Sequence, residues 1–312
     1  MISLQGKRIA VVGSGAVGSY YGGMLAHGGN DVRFLMRADL EAVRRDGLTI
    51  HTKGETVRIP KVQAFSTTEE IGPVDVVLVA VKTTANADLE RLLPPLIGPQ
   101  TTLFTLQNGL GNEEFLAARW GTDRVAGALC FVCINRTAPG VIHHLDHGTI
   151  SIGEFARPVS ERVSALAAAF NAVGVVATAV DNLAGERWRK LLWNIPFNGL
   201  SIASRANVAE VLADDGLRTL ARSLMDEGLD AARRLGHDIP DEFADWQISR
   251  SHSMGAYKSS SMIDFEAGRP VEVEAIWGEP LRQGLAVGAA MPKTQALYET
   301  VSRLSASRLP VT

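Results

Sequence analysis

The chain has 312 residues, 46% of them hydrophobic and 21% charged, with a net charge of −3. That length and composition allow a sizeable core, in one large domain or in two. No long run of one charge sign suggests a nucleic-acid surface or a membrane-binding face, and no apolar stretch is long enough to span a bilayer.

The start, Met1-Ile2-Ser3-Leu4-Gln5-Gly6-Lys7, lacks a signal-peptide pattern, so a soluble cytoplasmic protein is expected. A first strand, Arg8 to Val12, runs straight into Gly13-Ser14-Gly15-Ala16-Val17-Gly18, and a helix over Ala16 to His27 follows. Glycines spaced G-x-G-x-x-G between a strand and a helix point to dinucleotide binding. Gly13 lets the chain turn tightly, Gly15 lets backbone approach a pyrophosphate, and Gly18 lets the helix lie close on the strand. Free N–H groups and the positive helix end then face the phosphates.

Asp31 to Met36 reads as the second strand. An Asp or Glu at its end would accept bonds from a ribose 2′-OH and mark NAD. The residue there is Arg37, with Arg44 and Arg45 a little further on. An arginine can pair with a 2′-phosphate, which favours NADP, although a solvated arginine ending a strand is the plainer alternative.

Leu48 to Ile50 and Thr56 to Ile59 suggest a small hairpin. Val74 to Val81 is a near-continuous β-branched run, as expected of a strand buried on both faces, and it ends in Lys82-Thr83-Thr84. A helix over Ala87 to Leu93 stops at Pro94-Pro95, and a strand over Thr101 to Leu106 ends in Gln107-Asn108-Gly109. Both tips belong on the carboxyl edge of the sheet, where open α/β sheets bind ligands, so Lys82 and Asn108 are candidate contacts. Ordinary strand-end polarity also accounts for them.

A helix is expected over Gly111 to Trp120. Val125 to Ile134, Val141 to Leu145 and Thr149 to Gly153 read as antiparallel strands extending the sheet. The only two cysteines, Cys130 and Cys133, are expected to be inert buried thiols, since residues three apart on a strand face opposite ways and no second pair completes a zinc site. His143, His144 and His147 lack a completing carboxylate pattern, so no metal is expected. Ser160 to Val173 reads as a helix and Val175 to Thr178 as a final strand.

From Asp181 the periodicity is helical. The chain therefore divides into an α/β dinucleotide-binding (Rossmann) domain, residues 1–180, and an all-α C-terminal domain, residues 181–312. Helices are expected from Asp181 or Asn182 to about Ser204, over Leu217 to Leu235, Asp241 to Ser253, Pro270 to Val287 and Lys293 to Leu309. The first carries Lys190, Asn194 and Asn198 at i, i+4 and i+8, one stripe drifting about 40° per step. Its neighbours are apolar, so a lysine and two amides there need partners. Pro196 lacks the N–H for the Leu192 carbonyl and should kink the helix. The stripe is either solvated or the polar lining of a cleft, where a lysine can protonate a carbonyl oxygen and asparagines can hold a carboxylate or hydroxyl. In Tyr257 to Glu274 the serines either cap a helix or bind an oxyanion, and Glu272 opens the next helix, where a carboxylate is favoured.

Taken together, Gly13 to Gly18, Val81-Lys82-Thr83, Leu106-Gln107-Asn108-Gly109, the Lys190/Asn194/Asn198 helix and the serine patch ending in Gly268-Arg269-Pro270-Val271-Glu272 resemble the ketopantoate reductases (2-dehydropantoate 2-reductases), in order and over nearly the whole chain. The resemblance implies NADPH held in the cleft between a Rossmann and a helical domain. It makes Lys190 the general acid and Glu272 the residue that orients the site. It places Asn194 and Asn198 on substrate and Ser260 on the substrate carboxylate. Asn108 and Lys82 fall beside the nicotinamide ribose and substrate, and Arg37 on the adenosine phosphate. The implied reaction is 2-dehydropantoate + NADPH → pantoate + NADP⁺, in coenzyme A biosynthesis.

The chain departs from the family in having Ser261 where Met is usual and Ile263 where Gln is usual. Val271-Glu272-Val273-Glu274 replaces Thr-Glu-Ile-Asp, and Trp193 and Pro196 reshape the catalytic helix. The substrate is therefore left open to another 2-oxo acid. A non-catalytic NADPH-binding regulator is a third reading, against which the retention of Lys190 and Glu272 argues. A homodimer is compatible with the helical domain.

Overall fold

The computed structural model describes Leu4 and residues 6–308. The rest of the amino-terminal stretch read for a signal and the Leu309 end of the last expected helix lie outside the described residues. The fold separates into two compact units. One comprises the chain up to Asn108 with Asn112–Leu183, the other Gly109–Gly111 with the chain from Ala184.

The first unit is built on a ten-stranded sheet. Its strands are β1 (Arg8–Val12), β2 (Asp31–Leu35), β3 (Leu48–His51), β4 (Thr56–Ile59), β5 (Gln63–Phe65), β6 (Val74–Val79), β7 (Ile97–Thr105), β8 (Val125–Ala138), β9 (Val141–Glu154) and β10 (Ala177–Ala179). The order is β4-β3-β9-β8-β7-β6-β1-β2-β5, with β10 beside β9. Its helices are α1 (Ala16–His27), α2 (Leu40–Asp46), α3 (Thr68–Ile71), α4 (Leu89–Leu92), α5 (Asn112–Trp120) and α6 (Glu161–Ala172). Strand alternation sorts β1 into two cores: Ile9 and Val11 join Tyr21, Leu25 and Phe34 on one face, and Ala10 and Val12 join Val77, Val79 and Leu93 on the other. A strand buried on both faces explains the unbroken apolar run of β6.

Register then places the candidate tips side by side. Val12 pairs with Leu35 on β2 and Val79 on β6, and Val79 pairs with Thr105 on β7, all in parallel. The segments leaving these strands therefore emerge along one edge.

The strands after α5 depart from the sequence reading. β8 pairs parallel with β7 and antiparallel with β9, and both β8 and β9 run 14 residues. Register shifts at Phe131/Val132 and Cys133/Ile134 let the ladder pass through the polar stretch that looked like a break. Cys130 is buried but Cys133 only partly so, and neither forms a disulfide. The histidines diverge, His143 lying tilted against the His51 ring and His144 tilted against Tyr20. Among the described residues no cluster of three or more metal-ligating side chains forms.

The second unit contains α7 (Leu183–Ser204), α8 (Val208–Ala213), α9 (Asp215–Arg234), α10 (Glu242–Ser251), α11 (Ser260–Glu266), α12 (Glu279–Ala286) and α13 (Pro292–Ala306). They enclose Trp188, Trp277, Phe197, Phe265 and Leu224. α7 runs through Pro196 without a break. The helix expected from Pro270 starts later: Gly268 at φ +64° ends α11, and a residue preceding proline, here Arg269, is biased away from helix. Helical structure resumes as a π-turn over Glu274–Gly278 leading into α12. No described helix is long and apolar enough to cross a membrane.

Candidate active site

The three motif glycines separate by what surrounds them. Gly13 sits at φ +103°, and a Cβ there would lie 2.3 Å from the Val81 nitrogen. A Cβ on Gly18 would lie 2.2 Å from the Gly13 carbonyl oxygen. Both are required by the protein's own backbone. A Cβ on Gly15 would meet nothing within 4 Å, so its missing side chain is not demanded by internal packing. Gly15 N-caps α1, with no side-chain cap and no acidic residue in the first turn. Ala16 and Val17 form that first turn. The Ser14 hydroxyl donates to the Leu35 carbonyl (2.8 Å), pinning the turn to the end of β2. An open glycine at an uncapped helix start fits a phosphate of a dinucleotide.

Arg37 follows the end of β2 and is exposed. The three nearby arginines are not equivalent. Arg44 donates to the Ala64 carbonyl and lies 3.6 Å from Glu41, and Arg45 is held by Asp46. Among the described residues the Arg37 guanidinium has no such partner. The nearest following carboxylate, Asp39, is buried and committed. It accepts from Arg136 (2.6 Å) and from the Gly140 amide (3.3 Å). The end of β2 thus presents a free cation and no free acid, the arrangement suited to a 2′-phosphate.

Lys82, exposed, starts the turn after β6, and Asn108, half-buried, ends the segment after β7. A run of side-chain amides ties the two tips together. Gln107 Nε2 donates to the Val81 carbonyl (3.0 Å) and to Asn86 Oδ1 (2.6 Å). Asn86 Nδ2 donates to Asn112 Oδ1 (3.3 Å), and Asn112 Nδ2 to the Asn108 carbonyl (3.0 Å). The sequence reading passed over Asn86, Gln107 and Asn112. Their signal was present: amides in an otherwise apolar stretch need partners.

In the helical unit, α7 buries Trp188, Leu191, Leu192, Ile195 and Phe197 almost completely. Lys190 is half-buried, and Asn194 and Asn198 are 5% and 2% exposed. The stripe is therefore not a solvated face. Trp193 turns its indole N–H to Ser251 Oγ (2.9 Å) and stacks on Phe197. Asn198 Nδ2 donates to Ser261 Oγ (3.1 Å). Ser259, not Ser260, caps α11, accepting from the Met262 amide. Ser260 is the exposed first residue of that helix.

Glu272 is half-buried, and its carbonyl accepts from the Ile276 amide (3.2 Å) as the π-turn begins. π-turns are frequent at functional sites. Glu274 is engaged elsewhere, bonded by Tyr298 (2.6 Å) and Arg282 (2.8 Å). Burial acts to raise its carboxyl, but these bonds outweigh it and hold the carboxyl below its ordinary range. Gly109, at φ +80°, brings the backbone against Ala275, whose carbonyl accepts from the Leu110 amide (2.9 Å). Arg187, buried and also unread in the sequence, donates to the Gly109 carbonyl (3.3 Å).

Comparison with known proteins covers nearly the whole chain. The family described as "Ketopantoate reductase PanE/ApbA" matches residues 9–157, and "Ketopantoate reductase PanE/ApbA C terminal" matches residues 182–305. A 2-dehydropantoate 2-reductase from a Nostoc species is 39% identical over 303 residues, covering 96% of this chain and 95% of its own. The crystal structure of a 2-dehydropantoate 2-reductase from Geobacter metallireducens has a TM-score of 0.92 at 43% identity, covering 95% of this chain and 99% of that one. One from Methylococcus capsulatus has a TM-score of 0.90 at 32% identity, covering 96% and 97%.

Proposed function

The chain belongs to the ketopantoate reductase family, and from that premise we propose that it reduces 2-dehydropantoate to pantoate with NADPH, a step of pantothenate and coenzyme A biosynthesis. Residues 1–180 serve as the NADP-binding domain and 181–312 as the substrate and catalytic domain. NADPH, when bound, supplies the hydride that adds to the substrate's carbonyl carbon. The backbone from Gly13 to Gly18 holds the pyrophosphate at the start of α1, and Arg37 pairs with the 2′-phosphate. Lys82 and Asn108 contact the nicotinamide ribose and the substrate.

Lys190 donates a proton to the carbonyl oxygen as the carbon is reduced, and its neutral amine then regains a proton from solvent. Glu272 orients the reacting groups and the cofactor. Asn194 and Asn198 bond the substrate's polar groups, and Ser260 bonds its carboxylate. We place the reaction in the cytoplasm, where NADPH is regenerated, and propose a homodimer.

The observation that carries this reading is the stripe of one lysine and two asparagines on a largely buried helix. A binding protein that only senses NADPH has no use for a proton donor there. The test is NADPH oxidation with 2-dehydropantoate and a panel of other 2-oxo acids, with NADH in parallel. Fast turnover of 2-dehydropantoate with NADPH supports the reading. Turnover of another 2-oxo acid alone moves the substrate, and tight NADPH binding without turnover of any acid replaces the enzyme with a regulator.

A further inference from the structure

We propose that Ser261 is a specificity-determining residue that fixes the orientation of the Asn198 amide, so that the asparagine's carbonyl oxygen receives a hydroxyl group of the substrate. The inference rests on the reading of this protein as a 2-dehydropantoate reductase, and it concerns a position where the sequence departs from the usual family residue.

A side-chain amide has two different ends, an NH₂ that donates and an oxygen that accepts. Which end faces a ligand depends on what holds the other. Here Asn198 Nδ2 donates to Ser261 Oγ at 3.1 Å, and both side chains are buried. The opposite end, Asn198 Oδ1, is buried and has no hydrogen-bond partner among the described residues. A buried acceptor left unpaired is destabilising until a donor reaches it. Ser201, three residues further along α7, also has a buried hydroxyl oxygen without a described partner. Residues three apart share a helix face, so the two unsatisfied polar residues lie on one side of α7. A ligand that brings a hydroxyl satisfies Oδ1, whereas one that brings only methyl groups leaves it unpaired.

2-Dehydropantoate carries a hydroxyl at the end away from its carboxylate, and trimethylpyruvate differs from it only in lacking that hydroxyl. A site built around an oriented acceptor discriminates between the two, because the analogue leaves a buried polar group unmatched. A methionine at position 261 offers no comparable acceptor, so the orienting contact is a feature of this chain.

The experiment measures steady-state reduction of both acids by the parent enzyme and by Ser261→Ala and Ser261→Thr, with melting temperatures as a check on folding. Calorimetric binding of pantoate to the NADP⁺-saturated enzyme gives a second readout that needs no turnover. Ser261→Ala is expected to raise KM for 2-dehydropantoate by about tenfold, as loss of one oriented hydrogen bond does, and to shift KM for trimethylpyruvate far less. Pantoate binding weakens in parallel, and Ser261→Thr, which keeps the hydroxyl, retains the parent's preference. An equal change for both acids, or none, overturns the inference, because a merely structural role for Ser261 affects both alike. Failure of the parent itself to reduce 2-dehydropantoate overturns the underlying functional reading instead, and a parent that prefers trimethylpyruvate overturns both.

Discussion

Gln107 donates its side-chain amide to Asn86 at 2.6 Å, and through that bond the segment after β7 is locked to the turn after β6. Gln107 is buried, and its amide also reaches the Val81 carbonyl one residue before Lys82. Two segments that carry candidate ligand contacts are thus held by one side chain that is not itself assigned to the ligand.

Replacing Gln107 with leucine keeps the volume and removes the donors. The Val81 carbonyl and Asn86 Oδ1 then lose their partner, which destabilises the protein by about 2 kcal/mol. Urea denaturation checks the stability. Because Lys82 and Asn108 lose their common anchor, kcat/KM for NADPH falls as well. A variant with unchanged activity at lowered stability would show that the amide chain serves folding alone.

The glycines of the first turn are expected to separate into folding and binding roles. Gly18→Ala forces a Cβ toward the Gly13 carbonyl at 2.2 Å and lowers stability by about 1–3 kcal/mol. Gly15→Ala meets open space and has an ordinary φ of −78°, so its melting temperature stays near the parent's while NADPH affinity falls. Thermal denaturation and NADPH titration distinguish the two. Equal melting temperatures for both variants contradict the assignment.

Arg37→Asp should weaken NADPH by at least about tenfold and leave NADH little changed, because only NADPH carries the phosphate that Arg37 meets. Fluorescence titration with each nucleotide measures this. Equal losses mean that the arginine does not read the phosphate.

Glu154, at the end of β9, is buried and bonded by Arg162 (2.8 and 2.5 Å) and by Ser160, which caps α6. Burial acts to raise its carboxyl, but the bonds from Arg162 and Ser160 outweigh it and hold the carboxyl below its ordinary value. A group whose pKa is lowered by folding adds stability that is present above its unfolded pKa and lost as pH falls through its folded pKa. Melting temperature should therefore decline from the ordinary carboxylate range downward. Glu154→Gln is expected to flatten that acid limb and to lower stability at neutral pH by about 3 kcal/mol. An unchanged acid limb in the variant rules out this carboxylate as its source.

The sequence was legible where structure is local. β1, the glycine turn and α1 were readable because an apolar run, spaced glycines and a helical period adjoin one another, and α1 spans Ala16–His27 as the pattern indicates. The short α11 was not, because a seven-residue helix beginning in two serines and capped by a third looks the same as a loop rich in caps. Long-range pairings were beyond reach for a different reason. Asp39 and Arg136 stand 97 positions apart, and nothing near either residue announces the other until the sheet order brings α2 and β8 within reach. The same holds for the amides of Asn86, Gln107 and Asn112. Their need for partners is readable from their apolar neighbours, but the choice of partner is made by the topology.

The central claim is that this chain reduces 2-dehydropantoate with Lys190 as the proton donor. Its most direct test is the kcat for NADPH-dependent reduction of 2-dehydropantoate by the parent and by Lys190→Ala, with NADPH affinity measured on both. The account predicts brisk turnover by the parent, a loss on the order of a hundredfold or more in the variant, and nearly equal NADPH binding. A variant that turns over at close to the parent rate, or a parent that leaves 2-dehydropantoate untouched, contradicts it.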